Sequence, residues 1–385
     1  MSLKGSIDIP FNRPCFVGKE IEYMSEAIER GHVSGDGHFS AMCSELLEQE
    51  LRATKVLLTT SCTHALEMAG HLLELKPGDE VIIPSYTFVS TANAFALRGV
   101  RIVFCDIRLD TLNIDENLLD GLVTSRTRAV VPVHYAGVGC EMGTIMELAA
   151  ERGLDVVEDN AHGLFGKYKG SPLGSFGRFS TLSFHETKNI ICGEGGALVV
   201  NDPDFIERAE IIREKGTDRS RMFRGEVDKY TWVDIGSSYL PSDLLAAFLC
   251  AQLEERQGIQ LMRKRIWQTY REALKDWAGR HEVGLPVVPS HCEHPYHMFY
   301  MVMPSENYRH RMIEHLKSRG ILAVFHYLPL HLSKMGKKMG AGKGDCPVAE
   351  DISGRVLRLP FYNHLSETDQ ERVIESVLEF DWNQP

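Results

Sequence analysis

A lysine near a glycine-dense turn is the first side chain in this sequence whose type and setting could support covalent chemistry. Lys188 lies in the segment SFHETKN, residues 183–189, and the segment GEGG, residues 193–196, follows shortly after it. The amine of a lysine can link covalently to a carbonyl compound. A surface lysine beside a hairpin has the same short pattern, so Lys188 alone does not decide between the two interpretations.

A carboxylate at the end of an apolar strand gives this lysine a partner. The segment VVEDNAH, residues 156–162, starts with apolar residues and places Asp159 where the strand is expected to end. Pyridoxal phosphate requires such a carboxylate, because it keeps the pyridine nitrogen protonated and lets the ring accept electrons. Asp159 could instead cap the following helix or loop. Lys188 and Asp159 together indicate this cofactor more specifically than either residue does alone.

Two further segments that follow predicted strands suit a flat, phosphorylated cofactor. Ser61, Cys62 and Thr63 precede an amphipathic helix, whose N-terminus offers unpaired N–H groups and the positive end of its dipole to a phosphate. Simple capping of that helix would use the same residues. Phe88 could stack on an aromatic ring, although most phenylalanines belong to a core. The sequence thus predicts a phosphate site and a stacking residue, with capping and core packing as the alternatives.

The elements that would position these residues have the pattern of a parallel sheet. Short apolar segments alternate with amphipathic stretches between residues 55 and 160, which predicts a mostly parallel sheet with helices on both faces. Ligands of such sheets bind at the carboxyl ends of the strands, where the segments above would meet. Strands are predicted at 56–58, 81–83, 102–105, 129–134 and 155–158, and helices at 63–75, 90–97 and 142–152.

The pattern changes after about residue 245. A long helical stretch rich in Leu, Gln, Glu and Arg is predicted from Asp243 to about Leu274. Strand-like segments near 296–303 and 321–327 follow, and a terminal helix is predicted near 366–379. We therefore predict an α/β fold, with a large domain over residues 1–250 and a smaller C-terminal α+β domain over residues 251–385.

Composition and charge limit the classes of function. The 385-residue chain has a net charge of −11, so we expect repulsion from phosphate backbones and no nucleic-acid partner. Its nine cysteines lack a C-x-x-C spacing, which is typical of reduced thiols in a cytoplasmic protein. The polar N-terminus and the lack of a long apolar run predict neither a signal peptide nor a membrane span. His326 and His331 lack an acidic partner at a zinc-like interval, so we expect no metal site.

Taken together, these segments resemble the DegT/DnrJ/EryC1/StrS sugar aminotransferases, within the fold-type-I pyridoxal-phosphate enzymes. The resemblance extends roughly from Ile9 to Phe380. It implies a pyridoxal-phosphate-dependent aminotransferase with a mostly parallel sheet flanked by helices. The matching segments are SCT at 61–63, PGDEVI at 77–82, TF at 87–88, ED at 158–159, SF at 183–184, Lys188, GEGG at 193–196, LPLH at 328–331 and LRLP at 357–360.

The resemblance also implies a role for each site residue. Lys188 would carry the cofactor covalently and shuttle protons, and Asp159 would pair with the pyridine nitrogen. His162 stands near the cofactor's 3-hydroxyl, where relatives usually have Gln, and an imidazole there could titrate near neutral pH. His185 is expected to position its loop. The other implied cofactor contacts are Phe88 on the ring, Cys62, Thr63 and Ser183 at the phosphate, and Ser238 at the phosphate of the neighbouring subunit in a homodimer.

One subgroup of the family is more similar still, the dTDP-4-amino-4,6-dideoxygalactose transaminases of enterobacterial-common-antigen-type pathways. This resemblance implies that L-glutamate donates the amino group to a nucleotide-linked 4-keto-6-deoxy sugar, dTDP-4-dehydro-6-deoxyglucose. The alternatives are an aminotransferase for another nucleotide keto sugar and a non-catalytic pyridoxal-phosphate sensor. The matching segments are PSYTFVSTANAF at 84–95, VPVHYAG at 131–137, FHETKN at 184–189, REKGTDRS at 213–220, DIGSSYL at 234–240 and AVFHY at 323–327.

Overall fold

Short strands form three sheets in the computed structural model, which describes residues 7–382 of the chain. The apolar segments predicted as strands in the N-terminal half are strands, because their residues can be buried on both faces of a sheet. The strands are β1 Lys55–Thr59, β2 Glu80–Pro84, β3 Arg101–Cys105, β4 Thr127–Val130, β5 Asp155–Asp159, β6 Lys167–Tyr168, β7 Ser171–Pro172, β8 Phe179–Ser183, β9 Gly196–Val200, β10 Cys292–Glu293, β11 Tyr300–Val302, β12 Val324–Phe325 and β13 Val356–Arg358.

The largest sheet has the strand order β1-β9-β8-β5-β4-β2-β3 and is mostly parallel. Strand β9 pairs antiparallel with both of its neighbours, β1 and β8. The pairs β2–β3, β2–β4, β4–β5 and β5–β8 are parallel. The carboxyl ends of these strands, except that of β9, therefore meet at one edge of the sheet, as the sequence predicts.

Helices cover both faces of this sheet and also build the C-terminal part of the chain. Helix α6 has the bounds that the apolar spacing predicts, and the C-terminal helix α14 lies within one residue of its predicted bounds. The helices are α1 Glu20–Glu29, α2 His38–Leu51, α3 Cys62–Leu72, α4 Val89–Ala96, α5 Leu119–Leu122, α6 Met142–Arg152, α7 Ile206–Arg213, α8 Arg219–Phe223, α9 Asp243–Glu254, α10 Arg256–Arg280, α11 Glu306–Ser318, α12 Lys334–Lys338, α13 Pro347–Arg355 and α14 Glu367–Leu378.

Successive residues of strands in the large sheet belong to different hydrophobic cores. Leu57 packs in a core with residues of α3 and α4, whereas its neighbour Val56 packs in a core with residues of α2 and α9. In the next strand along the chain, Ile83 faces the α3 and α4 side and Ile82 faces the α6 side. Because side chains alternate across a strand, each strand stabilises both layers, by about 1.5–3 kcal/mol for each fully buried Leu or Ile.

The predicted helix at 63–75 ends earlier than its apolar spacing indicates. It spans Cys62–Leu72, and Glu74 adopts a left-handed conformation with φ of 53°. The N–H of Leu75 then bonds back to the carbonyl of Gly70, so the chain turns before Pro77 is reached. Leu75 is still buried, but it packs from this turn and not from a helix.

Two other predicted boundaries are also wrong. The stretch from Asp243 to about Leu274 is two helices, α9 and α10, since the backbone of Glu255 departs from helical geometry between them. Strand β4 ends at Val130 and not at residue 134, because Pro132 has no N–H to extend the ladder. Val133 makes only an isolated bridge to Asp159.

The C-terminal part has its own sheet and core. Strands β11, β13 and β12 form an antiparallel sheet that packs against α10, α11 and α14. Ile9 from the opposite end of the chain joins the same core. Asp106 ties this part to the large sheet, because its carboxylate accepts the N–H groups of Val348 and Ala349 at 2.8 Å each. The domain division at residues 1–250 and 251–385 stays a prediction, and residue 250 lies inside α9.

Within residues 7–382, no helix is both long enough and apolar enough to cross a membrane. All nine cysteines lie in this described range as free thiols, and eight of them are buried.

Candidate active site

A cavity of about 490 Å³ opens at the carboxyl edge of the large sheet. Its lining joins residues that follow four different strands: Thr63 after β1, Phe88 after β2, Asp159 at the end of β5 and Ser183 at the end of β8. Lys188 lines it as well. The structure therefore brings together every predicted cofactor residue except Ser238.

Lys188 reaches this cavity from the loop between β8 and β9. Its backbone N–H donates to the carbonyl of His185 at 2.9 Å, and Nδ1 of His185 lies 2.9 Å from the hydroxyl of Thr187. His185 thus holds the loop, as its sequence context indicates. Burial lowers the pKa of Lys188 to about 8, although the neighbouring Cys62 and Asp159 oppose the change. The amine is therefore readily deprotonated, which a nucleophile and proton shuttle requires.

Asp159 is buried and has partners for both carboxylate oxygens. The hydroxyl of Thr91 donates to Oδ2 at 2.7 Å, and the N–H of Ala161 donates to Oδ1 at 3.2 Å. Burial nevertheless raises the pKa of this carboxyl above its usual value. A cationic partner in the cavity would favour the ionised form, and each oxygen can accept a further hydrogen bond. Asp159 therefore fits a protonated ring nitrogen.

The adjacent carboxylate, Glu158, points to the other face of the sheet, where it stabilises a backbone turn. It accepts three backbone N–H groups, from Gly174, Phe176 and Gly177, at 2.8–2.9 Å. His134 lies 3.0 Å from it through Nε2. The N–H of Cys140 donates to Nδ1 of His134, so Nε2 carries the proton that Glu158 accepts. The sequence shows two neighbouring carboxylates, and strand alternation separates their roles.

The start of α3 has the geometry of an anion site. The side chain of Ser61 caps the N–H of His64, which leaves the N–H groups of Cys62 and Thr63 without an intrahelical acceptor. A Cβ on Gly196 would come within 2.3 Å of the N atom of Cys62, so only glycine lets β9 start this close to the turn. Capping and anion binding are thus compatible here. Burial raises the pKa of the Cys62 thiol to about 12, so it is neutral at physiological pH.

Phe88 is not a core residue, because 56% of it is exposed. It precedes α4 in an extended conformation and lines the cavity. Its ring centroid lies 6.3 Å from that of Tyr327, which reaches the cavity from the C-terminal part. The core alternative is therefore wrong, and stacking on a cofactor ring stays the prediction for this residue.

His162 does not have the titration behaviour expected from its residue type. Its ring stacks on that of His297 with centroids 4.2 Å apart, and Nδ1 is buried without a hydrogen-bond partner among the described residues. Burial, with smaller contributions from Lys188 and Arg358, holds the pKa of His162 well below its usual value. The expected titration near neutral pH is therefore wrong. His162 thus lines the cavity as a neutral imidazole.

Ser238 lies elsewhere in the chain. It is exposed and lines a second cavity, of about 640 Å³, together with Arg213, Lys215 and Arg219. Its backbone forms an isolated bridge with Glu214. Within one chain Ser238 does not line the cavity of Lys188, and its contact with the cofactor phosphate of a neighbouring subunit stays a prediction.

Sequence reasoning missed several residues that complete the site. Thr91, in α4, donates its hydroxyl to Asp159. Oδ1 of Asn189 lies 2.8 Å from Nδ1 of His297 and accepts its N–H. Arg358 lines the cavity from the end of β13. Thr91 and Asn189 lie inside segments that carry the family resemblance, so their place in those segments was the available signal. Arg358 lies in the LRLP segment, but nothing in the sequence shows that it reaches the cavity.

The two histidines considered as zinc ligands have other partners. Nδ1 of His326 lies 2.7 Å from the hydroxyl of Tyr135. His331 lies between the hydroxyl of Ser85 and the carboxylate of Glu350, at 2.5 and 3.0 Å. No group of three or more His, Cys, Asp or Glu side chains in the described range is arranged to hold a metal ion.

The residues present fit pyridoxal phosphate. Lys188, Asp159, the start of α3 and the exposed Phe88 surround one cavity, and the close approach of Gly196 to Cys62 leaves the N-terminus of α3 open to a phosphate. When bound, this cofactor links to an amine and stabilises negative charge at the adjacent carbon. Which cofactor atom each residue contacts stays a prediction.

Comparison with known proteins gives a consistent result. A sequence model of the DegT/DnrJ/EryC1/StrS aminotransferase family matches residues 14–378. The spore coat polysaccharide biosynthesis protein SpsC of Bacillus subtilis (strain 168) is 32% identical over 96% of each chain. The GDP-perosamine synthase of Escherichia coli O157:H7 is 29% identical over 97% of this chain and 98% of its own. The PLP form of Spr1654 from Streptococcus pneumoniae has a TM-score of 0.89 and 25% identity, with 96% of this chain and 97% of that one covered.

These matches span nearly the whole chain, and they confirm the predicted fold class, cofactor and enzyme class. The protein is a pyridoxal-phosphate-dependent sugar aminotransferase, and it belongs to the DegT/DnrJ/EryC1/StrS aminotransferase family.

Proposed function

We propose that the protein transfers the amino group of L-glutamate to dTDP-4-dehydro-6-deoxyglucose and forms dTDP-4-amino-4,6-dideoxygalactose. This proposal rests on the position in the structure of the segments that resemble the subgroup. The segments at 84–95, 131–137, 184–189 and 323–327 each contribute residues to the cavity wall, among them Phe88, Val133, Lys188 and Tyr327. Four of the six segments that carry the subgroup resemblance therefore border the cavity of the reacting groups, and the other two, at 213–220 and 234–240, line the second cavity.

The residues of the site divide the work of an amino transfer. Lys188, as a free amine, would move the proton between the donor's α-carbon and the cofactor, and its lowered pKa suits that task. Asp159 would hold the ring nitrogen protonated through its ionised carboxylate. Because the cavity opens at the sheet edge beside Phe88 and Tyr327, the acceptor sugar would enter there.

The alternative within the same chemistry is an aminotransferase whose acceptor is a different nucleotide sugar. One relative is a GDP-perosamine synthase, so its name points to a GDP-linked product. The two possibilities differ in base and sugar configuration, which a few hydrogen bonds in the acceptor pocket decide. Parallel reactions with dTDP- and GDP-linked 4-keto-6-deoxy sugars, followed by product analysis, separate them.

Homodimerisation forms part of the proposal. Several large apolar side chains stand exposed in one segment beside Ser238, including Phe223 at 69%, Trp232 at 79% and Ile235 at 67%. An exposed apolar stretch of this kind indicates an interface. In a two-fold dimer each copy would present this segment to the other, which would bring Ser238 to the neighbouring cofactor phosphate.

Mixing two inactive variants tests the shared site. Lys188→Ala lacks the amine, and Ser238→Arg would obstruct the neighbouring phosphate site. Dissociating and reassociating the two together should restore about a quarter of wild-type activity, because half of the dimers are mixed and each has one intact site. A mixture that stays as inactive as its components, although it forms mixed dimers, would contradict a contribution of Ser238 across the interface.

We assign the reaction to the cytoplasm and to lipopolysaccharide or enterobacterial common antigen biosynthesis. Nine free thiols suit a reducing compartment, and eight of them are buried. The pathway rests on the subgroup resemblance, since its product is the amino sugar proposed above. Loss of this amino sugar from surface polysaccharide on deletion of the encoding gene would be the expected result.

The absorbance of the purified protein tests the function directly. A yellow protein whose visible band fades on addition of L-glutamate would establish the donor half of the reaction. Subsequent addition of the dTDP-linked keto sugar should restore the band and yield the 4-amino sugar. A yellow protein that responds to no amino donor would instead favour a pyridoxal-phosphate sensor. A band that responds to glutamate but not to this sugar would reject only the acceptor.

A further inference from the structure

A serine, a histidine and a carboxylate are linked in series outside the cavity of Lys188. The hydroxyl of Ser85 lies 2.5 Å from Nδ1 of His331, and Nε2 of His331 lies 3.0 Å from Oε1 of Glu350. The N–H of Gly344 and the contact with His331 lower the pKa of Glu350, so this group is an ionised acceptor. Nε2 therefore carries the proton that Glu350 accepts, and Nδ1 accepts the hydroxyl of Ser85. We call these three residues the His331 link.

The same residue types form hydrolase active sites, but the His331 link is closed to substrates. Ser85 and His331 are both 0% exposed, and neither residue lines the cavity of Lys188. A nucleophilic serine must reach the carbonyl group that it attacks. The His331 link therefore does not act by attack on a substrate, and any effect on the reaction passes through the segments that it joins.

The His331 link joins two segments that each place an aromatic ring in the cavity wall. Segment 85–88 begins with the serine of the link and ends at Phe88, and segment 326–331 contains Tyr327 and ends with the histidine. Phe88 and Tyr327 both line the cavity, and their ring centroids lie 6.3 Å apart. The distance between the two segments therefore sets the width of this part of the cavity.

Two further hydrogen bonds hold these segments together. The carbonyl of Ser85 accepts the N–H of Leu330 at 2.9 Å, and the hydroxyl of Tyr86 donates to the carbonyl of His326 at 2.7 Å. Tyr327 lies between these two attachment points and has a left-handed φ of 38°. A residue other than glycine keeps that conformation only where surrounding contacts impose it. The position of Tyr327 is thus imposed by these attachments.

We propose that His331 is a positioning residue for amino transfer, which holds Tyr327 at the distance from Phe88 that orients the cofactor ring. His331 is buried away from the cavity, so it acts through its neighbours. An imidazole is rigid, and contacts at both of its nitrogens fix the segment of Tyr327 relative to Ser85 and to Glu350 in α13. The inference requires only the cofactor of this enzyme class and does not depend on which nucleotide sugar is the acceptor.

Removal of either end of the His331 link tests this role. Ser85→Ala and Glu350→Ala each delete one contact of the imidazole, whereas Glu350→Gln keeps an oxygen that can accept from Nε2. Asp106→Ala is the matched control, since Asp106 also attaches α13 to the large sheet, through two N–H groups at 2.8 Å. In the described range Asp106 makes no hydrogen bond to either segment.

The visible circular dichroism of the cofactor-loaded protein is the first readout, because its intensity per bound cofactor depends on how the ring sits in its asymmetric site. Both alanine variants should weaken this band. The rate constant for conversion of the bound cofactor by saturating L-glutamate should fall by about 10-fold, while half-saturation stays within about two-fold, since a misplaced ring slows the reaction without deleting a donor contact. Glu350→Gln should retain most of both signals, and Asp106→Ala should retain both although its unfolding temperature falls.

Three results would each overturn the role of His331. A wild-type band and rate constant in both alanine variants would show that the His331 link serves only the fold. An equal loss in Asp106→Ala would attribute the effect to general loosening between α13 and the large sheet. An equal loss in Glu350→Gln would exclude the hydrogen bond to Nε2 as the cause.

Two features of the experiment keep its result decisive. If Ser85→Ala does not fold, Glu350→Ala decides alone, because the side chain of Glu350 is 16% exposed and its loss leaves a smaller buried gap. The circular dichroism band requires no substrate. A wild-type protein that ignores glutamate or the dTDP-linked sugar would therefore reject only the proposed function, and the band would still test His331.

Discussion

Asp159 and Arg358 face the same cavity, but only the aspartate is hydrogen-bonded by its own chain. On the sheet side, Thr91 and the N–H of Ala161 hold Asp159, and Glu158 behind it accepts three N–H groups. The guanidinium of Arg358 and Nδ1 of His162, in contrast, have no hydrogen-bond partner within the described residues. Asp159 is thus held by its own chain before anything binds, as a resident cofactor requires, whereas these two groups are not.

The largest effect is expected at Lys188, which lines the same cavity. Lys188→Ala should lower steady-state turnover by at least about 10³-fold, because both the cofactor link and the proton shuttle are removed. Turnover with glutamate and the keto sugar is the measurement, with Lys275→Ala on the exposed face of α10 as a control. Wild-type turnover in Lys188→Ala would refute the assignment of this lysine.

Asp159→Asn should reduce turnover by roughly 10²–10³-fold, the usual cost of removing one preorganised electrostatic contact. The amide keeps the shape and the bond from Thr91, but it cannot stabilise a protonated ring nitrogen. The kcat of the cofactor-saturated variant is the quantity to compare. A kcat within a few-fold of the wild-type value would show that the negative charge of Asp159 does not contribute to catalysis.

Glu158→Gln should instead cost stability. An amide at this position turns one acceptor into a donor that faces backbone N–H groups, so we expect a loss of roughly 3 kcal/mol in the free energy of unfolding. Denaturant unfolding measures the loss, and the kcat of the folded fraction should stay near wild type. If Glu158→Gln lowered kcat as much as Asp159→Asn does and left the free energy of unfolding unchanged, the assignment of Glu158 to the fold and of Asp159 to the reaction would be wrong.

Covalent uptake of pyridoxal phosphate by the cofactor-free protein should depend on pH with a midpoint near 8. Burial lowers the pKa of Lys188 to about 8, so the reactive neutral amine dominates above that pH and declines below it. Initial rates of uptake at a series of pH values give the midpoint. A midpoint near 10.5, the ordinary lysine value, would mean that the amine is not desolvated as the structure indicates.

His162 should give the smallest effect. Because its pKa is held well below the usual value, the imidazole stays neutral from pH 6.5 upward and contributes no step to the pH profile there. His162→Gln should therefore leave the shape of the kcat profile unchanged between pH 6.5 and 8. A step in that range that disappears in the variant would show that the cavity is more open to water than its packing indicates.

The alternation of strands and helices and, through short segments, the chemistry could be predicted from residue type and spacing alone. Apolar runs at Val56, Val81 and Val156 predict strands because fully covered parallel strands need apolar residues on both faces. Asp159 was recognised because it ends such a strand, and Lys188 because it precedes a glycine-dense turn. Local signals of this kind depend on residue type and spacing, which a linear sequence contains.

The environment of each group, in contrast, depends on how the chain packs. Residue type suggests that His162 titrates near neutral pH, but burial and two nearby cations make it neutral. Glu158 and Asp159 look alike in sequence, and the sheet assigns one to the fold and the other to the cavity. Arg358 reaches the cavity only because β13 ends there, although Lys188 in the same cavity lies far away in the sequence. The reason is physical: pKa and hydrogen-bond satisfaction depend on desolvation and on neighbours that only packing brings together.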